Sequence, residues 1–194
     1  MDRIILASAS PRRKELLSSV VEGFEILTAD TDETVDPSVH PRDAVRMLAE
    51  RKGYAVLCTD PSLNDAIIIS SDTLVEMDGK PLGKPADTHD ARRMLSELSG
   101  RGHNVHTGIA VRYKDTLVSG VATTEVAFRA ISGQEIDDYI DSGEPMDKAG
   151  SYGIQGLGGK FVKEIRGDFD TVVGFSLKLL RSLLCEIGKE DVLC

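Results

Sequence analysis

Ile4-Ile5-Leu6-Ala7-Ser8-Ala9-Ser10-Pro11-Arg12-Arg13 stands almost at the start of the chain. Ile4–Ala7 is a short apolar run that reads as a buried strand. Beyond it, Leu16, Leu17 and Val20 fall at helical spacing. Ser10 is a natural N-cap, and Pro11 fits the first helical position, where no backbone N–H is needed. The charge does not suit an ordinary helix start. Arg12, Arg13 and Lys14 place three cations in the first turn, where the macrodipole favours anions and each misplaced charge costs roughly 0.3–1 kcal/mol. The pattern predicts an anion site: backbone N–H groups, serine hydroxyls and arginines directed at one phosphate.

The remaining composition makes that cluster more telling. The 194 residues carry a net charge of −9, which argues against nucleic acid as a partner, so phosphate affinity has to be local. With 41% hydrophobic and 28% charged residues, the chain has enough apolar side chain for one domain or for two lobes sharing a core. Cys58, Cys185 and Cys194 are odd in number and far apart, and read as free thiols in a reducing compartment. Met1-Asp2-Arg3 has no signal-peptide pattern, and no segment reaches the length of a membrane span. The expectation is a cytoplasmic protein with no membrane partner.

Phe24–Ala29 alternates as a second strand and empties into an acidic loop, Asp30 to Asp36. His40-Pro41 opens a helix with Ala44, Val45 and Leu48 on its apolar stripe and Lys52 in its second half. Ala66–Ile69 is the most apolar run and reads as a central strand buried on both faces. Its end changes abruptly to Ser70-Ser71-Asp72-Thr73. Leu74–Met77 resumes an extended pattern, Asp78-Gly79 is a hairpin turn, and the return leads to Gly83-Lys84-Pro85. A helix over about Thr88–Leu98 stops at Gly100. Two β-rich runs, Val105–Tyr113 and Leu117–Arg129, predict a long antiparallel hairpin. Ser132…Glu135 is a capping box. A glycine-bearing loop, Gly143–Gly159, precedes a strand over Lys160–Ile165 and a closing helix over Phe175–Ile187. The tail beyond Gly188 reads as peripheral. The order of elements predicts a mixed α/β fold with several antiparallel pairs.

Several side chains admit a chemical and a plain reading. Asp72, at the end of an apolar strand, is either an acid at the mouth of a sheet or a turn-forming residue. Asp30, Asp32 and Glu33 either ligate a hard cation or form a solvated acidic loop. Lys84, between Gly83 and Pro85, suits a phosphate-reaching lysine, whereas Lys52 resembles any helix lysine. Gln155 offers a donor beside an acceptor, which matches the imide edge of uracil or thymine, or it faces water. The glycines around it form neither a Walker loop nor a dinucleotide fingerprint, because Phe161 and a strand follow. His103 and His106 fall on opposite faces of a strand and do not pair on a metal. The cysteines supply no nucleophile, and no G-x-S-x-G elbow occurs.

Together these stretches resemble the Maf family of nucleoside triphosphate pyrophosphatases, from Ile4 to about Phe175. The markers are Ser8–Arg13, Thr31–Glu33, Ser70–Thr73, Gly83–Pro85, Ser99–Arg101, His103–Gly108, Gly143–Gly150 and Tyr152–Gly156. The resemblance implies an α/β fold, two lobes around a mixed sheet with a deep cleft, like the inosine-triphosphatase-like proteins. It implies hydrolysis of a nucleoside triphosphate to the monophosphate and pyrophosphate, with a divalent cation, Mg²⁺ or Mn²⁺. It also implies Asp72 as general base, Glu33 with Asp72 at the metal, and Ser8, Arg13, Lys52 and Lys84 on phosphate. Arg12, Thr73 and Gln155 are similar to the specificity positions of the branch acting on dTTP and UTP. A homodimer is a further expectation from the family. Thr171 and Ser176 depart from an Asn and a Pro common in relatives. A non-catalytic nucleotide-binding regulator of cell division, or 7-methyl-GTP-type specificity, stands as the alternative.

Overall fold

The computed structural model describes residues 2–194. Its elements are β1 (Ile4–Leu6), α1 (Pro11–Ser18), β2 (Glu25–Ile26), α2 (Pro41–Leu57), β3 (Ile67–Met77), β4 (Lys80–Leu82) and α3 (Thr88–Leu98). Then follow β5 (Gly102–Tyr113), β6 (Thr116–Phe128), α4 (Gly133–Asp141), β7 (Val162–Arg166), α5 (Phe169–Val173) and α6 (Leu177–Glu186). The sheet runs β2-β1-β3-β5-β6-β7, with β4 also on β3. β1 lies parallel to β2 and β3, and the other pairs are antiparallel.

One edge of β3 is paired with β5 from Ile68 to Glu76. Its other edge is shared: β1 takes Ile67–Ile69 and β4 takes Val75–Met77. Between them, Ser70 to Leu74 has no strand beside it, and backbone groups left there need other partners. This split separates two lobes. On one side, Leu6, Ile69 and Ile109 pack with Leu17, Phe175 and Leu184, while Ile5, Ile68 and Val56 form a second cluster. On the other side, Val75, Val105 and Phe128 pack with Leu95, Tyr139 and Phe161.

The local signals act as expected in most places. His40 caps α2, its Nδ1 accepting the Arg42 N–H at 3.2 Å. Asp78 and Gly79 both have positive φ, 52° and 76°, the twist a two-residue hairpin requires. Ser132 and Glu135 complete the capping box of α4. Four expectations are corrected. Ser70–Thr73 does not end the strand: β3 runs straight through for 11 residues, because pairing with β5 supports the polar stretch. Asp72 therefore sits mid-strand. The strand expected over Phe24–Ala29 shrinks to Glu25–Ile26, both exposed. Ser10 occupies the N-cap position of α1 without a side-chain cap; instead its own N–H donates to Ser8 Oγ at 3.2 Å. The tail is docked, since Val192 and Leu193 pack on the core beside α6. Lys189 Nζ meets Asp2 Oδ2 at 2.7 Å, and the Cys194 N–H donates to Val20 O at 2.8 Å.

His103 and His106 do face opposite ways. His106 Nε2 bonds Glu76 Oε2 at 2.7 Å, whereas His103 Nε2 bonds the Tyr152 hydroxyl at 2.9 Å. Burial pushes the His103 imidazole down to about 4. The unfolded chain, with a value near 6.5, therefore binds a proton that the folded one refuses. Stability is unaffected above pH ~6.5 and falls from there to pH ~4, by up to about 3 kcal/mol in total. His103→Gln, which can still bond Tyr152, is expected to flatten that acid limb. Urea midpoints at pH 7 and pH 4.5 for both proteins check it, and equal losses in the two would remove His103 as the cause.

Candidate functional site

The split edge of β3 opens into a cleft of about 1160 Å³ between the lobes. Ser8, Arg12 and Arg13 line it from the β1–α1 junction, Glu33 from the acidic loop and Lys52 from α2. Asp72 and Thr73 line it from β3, Lys84 from the segment after β4, and Gln155 from the glycine loop. All nine site residues expected from the sequence meet there. Asp30 and Asp32 do not line it; Asp32 Oδ1 accepts the Thr34 N–H at 2.9 Å and turns its own loop.

The centre is an ionic triad. Lys52 Nζ lies 2.5 Å from Asp72 Oδ1 and 2.8 Å from Glu33 Oε1. The Lys52 hydrogen bond, helped by the charges of Lys52, Lys84 and Arg13, holds Glu33 below the usual carboxylate range. Lys52 reaches Asp72 because α2 lies directly on the sheet. A Cβ on Gly108 would come within 2.4 Å of Val45 O, so only glycine lets helix and strand touch there. Ser70 Oγ donates to Ala49 O at 2.6 Å, pinning the next turn.

Arg13 plays a more structural part than its sequence position suggests. Its Nε donates to Gly174 O at 3.0 Å, Nη1 to Ser71 O at 2.7 Å and to Ser8 Oγ at 3.3 Å, and Nη2 to Thr73 Oγ1 at 3.3 Å. Ser71 O belongs to the unpaired stretch of β3, so Arg13 supplies a donor where no strand does. Of five guanidinium N–H groups, one remains for a ligand. Burial pushes the guanidinium below its ordinary value, while the Asp72 charge opposes this. Thr73 belongs to the same web, its hydroxyl 2.9 Å from that of Thr107, which donates to Thr171 O at 2.8 Å. Arg12, Lys84 and Gln155 have no side-chain hydrogen bond among the described residues and are free to meet a ligand.

Two positioning groups escaped sequence reasoning. Arg51 Nη1 donates to Thr34 O at 2.6 Å and Asp32 O at 3.3 Å, holding the carbonyls on either side of Glu33. An ordinary helix arginine carries no sequence signal of that. Glu144 binds the glycine loop: Oε2 accepts the Leu157 N–H at 2.9 Å, and Oε1 accepts the Gly158 N–H at 3.2 Å and the Tyr139 hydroxyl at 2.8 Å. Burial alone would raise the Glu144 carboxyl, but these bonds outweigh it and keep it below its ordinary value.

Glu33 Oε1 and Asp72 Oδ1 both face Lys52 Nζ, and no group of three or more His, Cys, Asp or Glu side chains gathers among the described residues. Two carboxylates suit a hard cation such as Mg²⁺ where substrate phosphate oxygens complete its shell.

Comparison with protein families matches residues 3–187 to the family described as Maf-like protein. The chain belongs to the Maf family. A dTTP/UTP pyrophosphatase of Bacillus velezensis is 46% identical to this Maf protein over 182 residues, covering 93% of this chain and 95% of the relative. One from Anaeromyxobacter dehalogenans is 45% identical over 190 residues, covering 96% and 94%. Among solved structures, that of the Staphylococcus aureus Ham1 protein superposes with a TM-score of 0.53 over 98% of both chains at 15% identity, a likeness of fold. The fold class expected from the sequence, mixed α/β with the sheet of this fold group, holds for the Maf chain. No helix among the described residues is long and apolar enough to cross a membrane.

Proposed function

We propose that this Maf protein hydrolyses dTTP and UTP, releasing the nucleoside monophosphate and pyrophosphate. The observation that carries the reading is the convergence of nine residues from six separate segments on one cleft, with Lys52 joining Glu33 to Asp72 at its centre. The names of the Bacillus velezensis and Anaeromyxobacter dehalogenans relatives support it. In this reading water attacks the α-phosphorus. Asp72 orients that water and takes its proton. Lys52, Lys84, Ser8 and the remaining N–H of Arg13 hold phosphate oxygens as charge shifts to the leaving pyrophosphate. Glu33 and Asp72 would hold the divalent cation, Mg²⁺ or Mn²⁺. Bound there, it supplies Lewis-acid neutralisation of the phosphates. Gln155 reads the imide edge of the base, with Arg12 and Thr73 shaping the nucleoside end.

The exposed free thiols of Cys58, Cys185 and Cys194 support a reducing, cytoplasmic setting, and the assembly proposed is a homodimer. Sedimentation at the monomer mass would remove the dimer. A pyrophosphate-release screen with Mg²⁺ and Mn²⁺, over dTTP, UTP, CTP, 5-methyl-UTP and 7-methyl-GTP, tests the substrate. Release is expected first from dTTP and UTP. Stoichiometric binding with no release from any of them would replace the enzyme by a nucleotide-binding regulator, and preference for 7-methyl-GTP would overturn the role of Gln155.

Arg51→Met keeps the aliphatic stem and removes both bonds that brace the Glu33 loop. At about 0.5–1.5 kcal/mol each, or about 1–3 kcal/mol together, their loss is expected to raise the cation concentration for half-maximal turnover roughly fivefold to a hundredfold. A metal titration of initial rates checks this. An unchanged midpoint would show that Glu33 holds its place without Arg51.

A further inference from the structure

Gln155 sits in a short turn closed by the Gly156 N–H donating to Gly153 O at 3.2 Å, with a 3-10 helix over Leu157–Phe161 directly after it and Gly153, Gly156, Gly158 and Gly159 around it. An unrestrained loop would have to be ordered by the ligand, at about 1–2 kcal/mol per residue fixed, and could present its amide in many orientations. The backbone here is instead tied down on both sides of Gln155. Two residues before it, the Gly153 N–H donates to the Tyr139 hydroxyl at 3.1 Å. Two residues after it, the Leu157 N–H donates to Glu144 Oε2 at 2.9 Å, followed by Gly158 on Oε1 at 3.2 Å. Tyr139 and Glu144 are themselves joined at 2.8 Å, so one carboxylate and one phenol brace the loop.

That brace is rigid and close. Tyr139 is 1% exposed and stacks edge-on to Phe161 at 5.1 Å. The main-chain oxygen of Glu144 accepts Lys148 Nζ at 2.7 Å. A Cβ on Gly156 would come within 2.5 Å of Glu144 Oε1, and one on Gly153 within 2.7 Å of Lys148 Cε. The glycines therefore let the backbone press onto Glu144 and are not simply hinges.

We propose that Glu144 is the positioning residue for base recognition: it fixes the backbone from which the Gln155 amide meets the imide edge of uracil or thymine, without acting on the phosphates. This rests on the pyrimidine reading above. A preordered loop turns binding energy into discrimination, because the wrong base cannot be met by a different loop shape.

The test is Glu144→Gln. Its amide oxygen still accepts on one side, but its NH₂ faces N–H donors on the other, so part of the brace is lost. KM for dTTP is expected to rise about tenfold and the preference for dTTP over CTP to fall about tenfold, with kcat within about threefold. Amide hydrogen exchange at Leu157 and Gly158 should accelerate. The double variant E144Q/Q155A should discriminate no worse than Gln155→Ala alone, because Glu144 acts through that side chain. Unchanged discrimination in E144Q, or additive losses in the double variant, overturns the proposal. Should E144Q fail to fold, Tyr139→Phe removes only the hydroxyl that bonds Gly153 and Glu144. It is expected to lose about threefold in discrimination, and discrimination equal to the unmutated protein overturns the proposal equally. A missing dTTP preference in the unmutated protein is the failure of the pyrimidine reading. A preference present there and intact in E144Q is the failure of this inference.

Discussion

Asp72→Asn is expected to fold as before and to lose at least about a hundredfold in turnover, the low end of what removing a positioned general base costs. The substitution is nearly isosteric, and Asn still offers Lys52 an oxygen. Lys52 Nζ also keeps Glu33 at 2.8 Å, so no cation is stranded in the cleft. What disappears is the capacity to accept a proton from water at that position, together with one negative charge facing the cation. Steady-state pyrophosphate release and a urea unfolding curve, run side by side, separate chemistry from stability. Near-normal turnover would remove Asp72 from the role of base. An unfolding midpoint that collapses with activity would make its role structural.

The second large effect concerns a residue with no side chain. Gly108→Ala places a Cβ 2.4 Å from Val45 O and 2.6 Å from Val45 C, a backbone that cannot rotate away. Helix α2 has to lift from the sheet, at about 2–3 kcal/mol for overpacking of this kind. Because α2 carries Lys52 and Arg51, activity should fall as well. Gly120→Ala is the matched control. Its Cβ would meet the end of Leu179 at 2.9 Å, a flexible side chain that can turn aside, so the loss should stay below about 1 kcal/mol. Equal destabilisation of the two variants would deny Gly108 its special place at the helix–sheet contact.

The sequence was most legible where chemistry is local. Pro11 at the start of α1, the Asp78-Gly79 turn and the Ser132…Glu135 box each act within a few residues, and each forms as read. The nine cleft residues could be named because their types and order match a family, and the cleft gathers all of them. Misreadings arose where a distant strand decides. Ser70–Thr73 looked like a strand end because polar residues interrupt an apolar run, yet β5 pairs with it throughout and keeps it extended. The tail looked peripheral because its few apolar residues, Val192 and Leu193, find their partners only on the folded core. Arg13 was legible as a charged group in the cleft, whereas the use of most of its N–H groups on Ser8, on β3 and on the turn at Gly174 follows only from the folded arrangement.

By itself, then, the amino-acid order determined most helices, the Asp78-Gly79 turn and the capping box of α4, which follow from periodicity and short-range hydrogen bonding. Its motifs determined the family and the kinds of side chain offered to phosphate, cation and base. Only the tertiary structure decided that β1 and β4 divide one edge of β3, that Lys52 lies between Glu33 and Asp72, and that Glu144 braces the loop bearing Gln155. These are contacts between residues far apart in the chain. They depend on strand pairing and on the close packing that Gly108, Gly153 and Gly156 allow, which no local pattern encodes.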